Sequence, residues 1–344
     1  MAPRMVLITH GDLDGIVCAL IARLIFGVKI EIFFCNHDKV NQIMLDQIDR
    51  FRNGDIDLLW TSDICPSDES IYDMIDVLYT EAEKAGAMWD RTNHGIFVSD
   101  HHDQTRPLAE GRGEYFFHTE NSYNDSGADV FGRALWEIVG TGIPYEKALG
   151  IVRPTRAWDC WHVDSAWRRA GTMMNKLFQF LRRDKFIELM EQFGGMTFDY
   201  ETPKGTEAFL GSLPMPAYKI IESLEDADRG TIAFKLKSVE FLEDPDGTRF
   251  AFMFSERLAS ELAHAALEEH PRAEYAAVIN MNRGTVELRA RDKGYNVGVL
   301  AKRMGGGGRQ ATAGYPIDID DSSLLLNFRE NFVQHMELHF TKDD

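Results

Sequence analysis

The first half of the chain alternates short apolar runs with longer segments in which apolar residues recur at helical spacing. The runs are rich in Ile, Val, Leu and Phe, which favour strands. The predicted strands are residues 5–9, 29–35, 56–62 and 95–99, and the predicted helices are 14–26, 38–52, 68–85, 127–140 and 144–152. Ser126 or Asp125 is expected to cap the fourth helix. This alternation predicts an α/β fold, with a parallel sheet covered by helices on both faces.

The pattern changes after residue 165. Helices are predicted over 167–193 and near 215–228, with a Gly-Gly break at 194 and 195. Strands return over 231–241, 249–254, 275–281 and 285–291, with a helix over 257–269. Because 344 residues exceed the usual size of one hydrophobic core, we predict an N-terminal α/β domain over 1–165, a helical connector over 166–230 and a smaller α/β domain over 231–344.

The composition is that of a globular protein outside membranes. It is 44% hydrophobic and 27% charged, and no apolar stretch approaches the length of a membrane span. The N-terminus lacks the pattern of a secretory signal, and the four cysteines have no paired spacing. We therefore expect reduced thiols, a cytoplasmic location and no membrane partner.

The net charge of −18 is unfavourable for holding long nucleic acid, because that binding depends on neutralising many phosphates. A nucleotide partner is expected to be short, or to meet a local basic patch.

The strongest candidate for chemistry follows the first predicted strand. His10, Asp12 and Asp14 alternate along the chain, so that on an extended backbone their side chains would project to one side. Gly15 then permits a turn. Taken alone, this segment is equally well explained as a helix-capping turn.

Further candidates follow other apolar runs at predicted strand ends. Asp63 follows one run, Asp100-His101-His102 follow another, and Asp159 follows a third. Ligands collect beyond the carboxyl ends of parallel strands, so these positions predict a single site. The six candidate ligands are His10, Asp12, Asp14, Asp63, His101 and Asp159. This number suits two divalent cations sharing one carboxylate, for which Asp63 is our choice, and the ligand types favour Mn²⁺ over Mg²⁺.

A glycine run near the C-terminus is a second candidate site. Gly305, Gly306, Gly307 and Gly308 would let backbone N–H groups approach an anion, and Arg309 could add contacts to phosphate. Seven basic residues against two acidic ones lie between Arg283 and Arg309. A flexible surface loop and a solvated basic face are the alternatives. Trp158 and Trp161 could stack on a base, but they are interpreted as packing residues. The basic residues after 165, including Arg168, could line the path of a nucleic-acid strand, but they are interpreted as a solvent-exposed helix face.

These motifs resemble those of the DHH phosphoesterases. His10 to Gly15, Asp63, Asp100-His101-His102 and Asp159 are similar to the four motifs of that superfamily, which includes RecJ-type exonucleases and nanoRNases. The segment from Val286 to Ala290, followed by the glycine run, resembles the accompanying DHHA1 domain.

The resemblance implies a role for each residue. His10, Asp12 and Asp63 would hold one metal ion, and Asp14, Asp63, His101 and Asp159 the other. His102 would face the substrate. On chemical grounds we expect His102 to assist the leaving oxygen, and Asp100 to orient a histidine, because metal-bound imidazoles commonly donate their other N–H to a carboxylate. Arg289 and the glycine run would grip the nucleotide. Arg309 stands where the family usually has a histidine, which leaves the preferred base and substrate length open.

We therefore expect a phosphodiesterase or exonuclease that cleaves short oligonucleotides or small nucleotides by means of a hydroxide activated by two metal ions. A RecJ-like exonuclease acting on single-stranded DNA is one alternative, and a nucleotide sensor without catalysis is another. Pyrophosphatase activity is disfavoured by the nucleotide-binding character of the second domain. A homodimer is left open.

Overall fold

A computed structural model of the chain describes residues 4–27, 30–84, 93–119, 121, 124–139, 148–162, 165–192, 215–291, 295–317, 332–334 and 336. The chain forms two compact units, Met1–Ile221 and Glu222–Asp344. The domain boundaries near 165 and 230 stay predictions. The predicted break at 194 and 195, Asp292 and Lys293 lie outside the described residues.

The first unit contains a five-stranded sheet in the order β2-β1-β3-β4-β5, in which every described pairing is parallel. Its strands are β1 (Met5–His10), β2 (Glu31–Cys35), β3 (Leu58–Ser62), β4 (Gly95–Asp100) and β5 (Phe116–His118). The predicted parallel sheet is confirmed. The short strand β5 was not predicted, since its three residues are too few to show a pattern.

Helices connect and cover these strands. They are α1 (Leu13–Phe26), α2 (Val40–Arg52), α3 (Glu69–Lys84), α4 (Arg106–Ala109), α5 (Gly127–Val139), α6 (Leu149–Asp159) and α7 (Arg168–Gln192). The N-terminal part of α1, from Leu13 to Ala22, is buried on all sides. Met173, Met174 and Phe186 of α7 join the same core as β1 and β3. The first half of the predicted connector therefore packs within the first unit.

The second unit contains a mixed sheet in the order β10-β11-β9-β8-β7-β6. Its elements are α8 (Met215–Leu236), which contains the division between the units, β6 (Glu240–Glu243), β7 (Arg249–Ser255), α9 (Ala259–Glu269), β8 (Tyr275–Asn280), β9 (Thr285–Ala290), α10 (Val297–Arg303), β10 (Gly307–Arg309) and β11 (Thr312–Pro316). Strands β7 and β8 are parallel and are joined through α9, while the other pairs are antiparallel. Alternate residues of β7 enter different cores: Phe250 and Phe252 enter one, and Ala251 and Met253 the other. The predicted two-part α/β architecture is confirmed.

Two predicted elements are wrong in detail, and the structure excludes one alternative interpretation. The strand predicted over 231–241 is a helix as far as Leu236, and only β6 remains of it. The helix predicted over 144–152 begins at Leu149 in the described part and continues to Asp159. The glycine run is not simply a loop, because Gly307–Arg309 form an edge strand that pairs with β11. In each case a short apolar or glycine-rich run did not distinguish helix, strand and loop.

Within the described residues, every helix is too short or too polar to cross a bilayer.

Arg4, directly before β1, forms an ion pair with Asp57, directly before β3. Two nitrogens of the Arg4 guanidinium donate to the Asp57 carboxylate at 3.1 and 2.9 Å, and the backbone N–H of Arg4 donates to it at 2.8 Å. The hydrogen bond from the Arg4 side chain lowers the pKa of Asp57 from 3.8 to about 2. A lowered folded-state pKa contributes stability that is present above the unfolded pKa and is lost as the pH falls through the folded one.

We predict that Asp57→Asn lowers the free energy of unfolding near neutral pH, and that its difference from wild type shrinks as the pH falls from 3.8 to about 2. Urea unfolding at several acidic pH values measures this difference. The exposed neighbour Asp55 supplies the control variant, Asp55→Asn. A difference that stays constant over this range would contradict the assigned interaction.

Candidate metal centre

The turn from β1 into α1 brings His10, Asp12 and Asp14 together. His10 ends β1, Asp12 caps α1 by accepting a hydrogen bond from the Gly15 N–H at 3.1 Å, and Asp14 lies in the first turn of the helix. The Nδ1 atom of His10 lies 2.8 Å from Oδ2 of Asp12. A side chain at Gly15 would place a carbon 2.2 Å from the His10 carbonyl oxygen. The residues converge through this turn and the helix capping, so the predicted alternation along an extended chain is wrong.

The ends of β3 and β4 supply the next two groups. Asp63 directly follows β3 with a φ of 57°, and its N–H donates to the carbonyl oxygen of Ser99 at 3.1 Å. His101 follows β4, and its Nδ1 lies 2.8 Å from the carbonyl oxygen of Asp125, to which it can donate. The Nε2 atom of His101 faces Oδ1 of Asp63 at 3.5 Å. The carbonyl therefore fixes the ring so that Nε2 is presented to the carboxylates.

The beginning of α5 closes the site from another side. Oδ2 of Asp14 accepts a hydrogen bond from the Gly127 N–H at 2.6 Å, and Oδ1 accepts one from the Ala128 N–H at 3.1 Å. A side chain at Gly127 would place a carbon 2.6 Å from Oδ1 of Asp63. Ser126 caps α5, since its hydroxyl oxygen accepts a hydrogen bond from the Asp129 N–H. The N–H groups at the start of α5 and the absence of a side chain at Gly127 thus let the carboxylates of Asp14 and Asp63 lie close to this helix.

Asp159 reaches the site from a helix. We predicted it at a strand end, but it is the last residue of α6. Its Oδ2 lies 3.6 Å from Nε2 of His101, and Oδ2 of Asp14 lies 3.9 Å from the same nitrogen. The structure therefore gathers all six candidate ligands at one place, although the position of Asp159 in the fold differs from the predicted one.

The electrostatics of the site favour bound cations. Burial raises the pKa of Asp14 well above its usual range, and the charges of Asp159 and Asp12 raise it further. Burial also raises the pKa of Asp63, and the negative charges of Asp14 and Asp12 raise it further. Oδ2 of Asp63 is buried and accepts no hydrogen bond from the described residues. Like charges at close range in a buried place are costly unless a cation binds between them.

Three groupings among the described residues have a geometry that could hold a metal ion. His10, Asp12 and Asp63 place ligand atoms within 4.8 Å of one another, and so do Asp63, His101 and His102. A third such group consists of His101, Asp159 and Cys160. Asp63 belongs to the first two, and the imidazole and carboxylate donors suit a divalent transition metal.

His102 is held beside this cluster by Asp100. The Nδ1 atom of His102 lies 2.8 Å from Oδ1 of the buried Asp100, and the Cys65 thiol donates to Oδ2 at 3.3 Å. Burial alone would lower the pKa of His102, but the hydrogen bond and charge of Asp100 raise it to about 9. Asp100 accepts a hydrogen bond from His102, and its role in orienting a histidine stays a prediction.

Arg289 and the glycine run lie in the second unit. Arg289 is largely buried, donates to the Ser260 hydroxyl at 2.6 Å and to the Leu288 carbonyl at 2.8 Å, and lies 3.6 Å from the Glu287 carboxylate. In the glycine run, the N–H groups of Gly305 and Gly306 donate to carbonyls of α10. Some of these groups are therefore already engaged, and nucleotide binding by Arg289, the run and Arg309 stays a prediction.

Several residues around the site were not found from the sequence. The exposed His37 ring lies 5.7 Å from the His10 ring, between centroids. Nε2 of His118 lies 2.9 Å from the carbonyl oxygen of His102. Asp125 acts on His101 through its backbone, which no sequence pattern reveals. His37 follows a predicted strand, whereas His118 ends β5, which was not predicted, and neither belongs to a motif.

Comparisons with known proteins give consistent likenesses. The chain is 23% identical over 335 residues to oligoribonuclease NrnB of Bacillus subtilis (strain 168), covering 93% of this chain and 74% of NrnB. A second likeness is to a solved DHH domain from a protein described as a member of the s1p family of ribosomal proteins. The two structures have a TM-score of 0.55 at 13% identity, and the alignment covers 96% of this chain and 87% of the DHH-domain chain. RecJ of Thermus thermophilus in complex with Mn²⁺ has a TM-score of 0.51 at 13% identity, covering 98% of this chain and 52% of RecJ.

No protein-family model matches the sequence. The solved structures support the fold alone, and NrnB supplies a likeness along most of both sequences. The residues that carry the resemblance to the DHH motifs converge at one place in the first unit. The sequence likeness to NrnB and the likeness of the fold to solved DHH-domain structures therefore agree with the resemblance to the DHH phosphoesterases.

Proposed function

We propose that this protein hydrolyses phosphodiester bonds in short oligonucleotides, using divalent cations held by the six convergent side chains. The observation that carries the proposal is the gathering of buried carboxylates around Nε2 of His101, with Asp63 common to two groupings. The name of NrnB, an oligoribonuclease, supports an oligonucleotide substrate. The charge of −18 favours a short one over a long strand.

The ligands divide between two cations that share Asp63. His10 and Asp12 complete one set with Asp63, while Asp14, His101 and Asp159 complete the other. Mn²⁺ is the preferred ion on ligand type, and Mn²⁺ in the RecJ complex supports that choice. When bound, such ions polarise a phosphoryl group and make water a stronger nucleophile. The chain's own contribution is to fix the ligands, which the turn at Gly15, the start of α5 and the Asp125 carbonyl accomplish.

The exposed groups beside the ligands would meet the substrate. The side chain of His102 is 31% exposed, and Asp100 engages its Nδ1, so that Nε2 is the atom that can donate a proton to a leaving oxygen. As the resemblance implies, Arg289 and Arg309 of the second unit would bind the nucleotide. The exposed His37, beside His10, is a further group able to contact a nucleotide.

A substrate panel tests the proposed activity. Purified protein with Mn²⁺ is incubated with labelled RNA and DNA dinucleotides, a long single strand, pyrophosphate and a cyclic dinucleotide, and the products are resolved. We expect the dinucleotides to give mononucleotides faster than the long strand is shortened. Preference for the long strand with marked inhibition by salt would indicate the RecJ-like alternative. Binding without turnover of any substrate would contradict the proposal and favour a sensor.

Asp63→Asn should remove both metal binding and activity, because one carboxylate serves both ions. We expect turnover to fall by more than about 100-fold, since loss of a group that merely orients a ligand already costs about 10–100-fold. Turnover and Mn²⁺ binding are measured on the same preparation. The exposed Asp184→Asn is the matched control. Wild-type metal stoichiometry in Asp63→Asn would contradict the shared ligand.

Gly127→Ala tests the geometry of the metal site separately from the stability of the fold. Alanine is a better helix residue than glycine, but its methyl group would lie 2.6 Å from Oδ1 of Asp63 and displace that carboxylate. We expect Mn²⁺ affinity and turnover to fall at least about tenfold. Gly230→Ala, in α8, is the control, because a side chain there meets no atom within 4 Å. Unchanged metal affinity in Gly127→Ala would contradict the geometry.

A further inference from the structure

The last turn of α6, which carries Asp159, ends in a compact capping motif. The N–H of His162 donates to the carbonyl of Ala157 at 3.0 Å, and the N–H of Trp161 donates to that of Trp158 at 3.2 Å. This is the hydrogen-bond pattern of a Schellman motif, in which glycine usually takes the left-handed position. Here Trp161 takes it, with a φ of 55°. A tryptophan in this conformation is strained and needs surrounding contacts to hold it.

Arg168 supplies those contacts. Its Nη1 donates to the carbonyls of Ala157 and Trp158, both at 3.0 Å. Its guanidinium carbon lies 3.7 Å from the centre of the Trp161 ring and 4.8 Å from that of Trp158. One planar cation thus binds two carbonyls of the capping motif and stacks on the strained tryptophan. We predicted a solvated face for Arg168, but the residue is only partly exposed.

Without the Arg168 guanidinium, the position of the Asp159 carboxylate would be electrostatically unfavourable. A carboxylate at the C-terminal end of a helix faces the partial negative charge of the last carbonyls. Arg168 offsets that charge at the two carbonyls directly before Asp159. The helix that bears Arg168 also packs closely on α6, because a side chain at Gly171 would lie 2.2 Å from the carbonyl oxygen of Pro154. Arg168 is therefore held rigidly against the turn.

We propose that Arg168 is a positioning residue for Asp159. By fixing the end of α6, it directs the Asp159 carboxylate towards Nε2 of His101, 3.6 Å away, and thereby sets the affinity of the cation site that contains these two residues. Arg168 contacts neither His101 nor the substrate in this account. The inference rests on the proposed function, since it requires that the site bind a cation.

The test is Mn²⁺ binding to the full chain, measured by calorimetric titration of wild type, Arg168→Met, Arg168→Lys and Arg169→Met. Arg169 is the exposed neighbour of Arg168 on α7 and serves as the control. We expect Arg168→Met to weaken one of two binding events by about 10–100-fold, as for other groups that orient a ligand, and to leave the second event unchanged. Arg168→Lys keeps the charge but lacks the planar fork, and it should weaken the same event by a smaller factor.

The outcomes separate the two proposals. Two wild-type binding events in Arg168→Met would overturn the positioning role and leave the proposed function intact. Absence of Mn²⁺ binding in wild type would overturn both. If Arg168→Met does not fold, Arg168→Lys decides, because wild-type affinity in that variant counts against the role. Equal weakening of both events would also overturn it, since Arg168 would then support the fold in general rather than Asp159.

Discussion

The mutual repulsion of buried carboxylates is the constraint around which the first unit is organised. Asp14 and Asp63 are almost completely buried, and each feels the charge of other carboxylates nearby. Hydrogen bonds from the start of α5 stabilise Asp14, but Oδ2 of Asp63 has no donor among the described residues. We expect a fold that places charge in this way to be more stable with divalent cations bound than without them.

The sheet explains why the site stands where it does. In the order β2-β1-β3-β4-β5, the chain proceeds to one side of β1 with β2 and to the other side with β3. The carboxyl ends of β1 and β3 flank that reversal, which is the usual place for a ligand in an open α/β sheet. His10 ends β1 and Asp63 follows β3. Local strain appears at the same place, because Asp63 and Trp161 both have a positive φ. Non-glycine residues in this conformation are concentrated at functional sites.

Much of this arrangement could be predicted from the sequence. Apolar runs with acidic or histidine residues after them located β1, β3 and β4, and those residues converge as expected. Asp159 was predicted as a site residue but not as a helical one, because a short apolar run does not distinguish strand from helix. Contacts made through the backbone, such as the Asp125 carbonyl on His101, leave no trace in residue identity. The stacking of Arg168 on Trp161 depends on an unusual φ, which the sequence does not reveal either.

The central claim is that two cations share Asp63, and anomalous diffraction from crystals grown with Mn²⁺ tests it most directly. The account predicts two anomalous peaks, one coordinated by His10, Asp12 and Asp63 and the other by Asp14, Asp63, His101 and Asp159. A single peak, or two peaks of which one lies beyond coordination distance of Asp63, would contradict it.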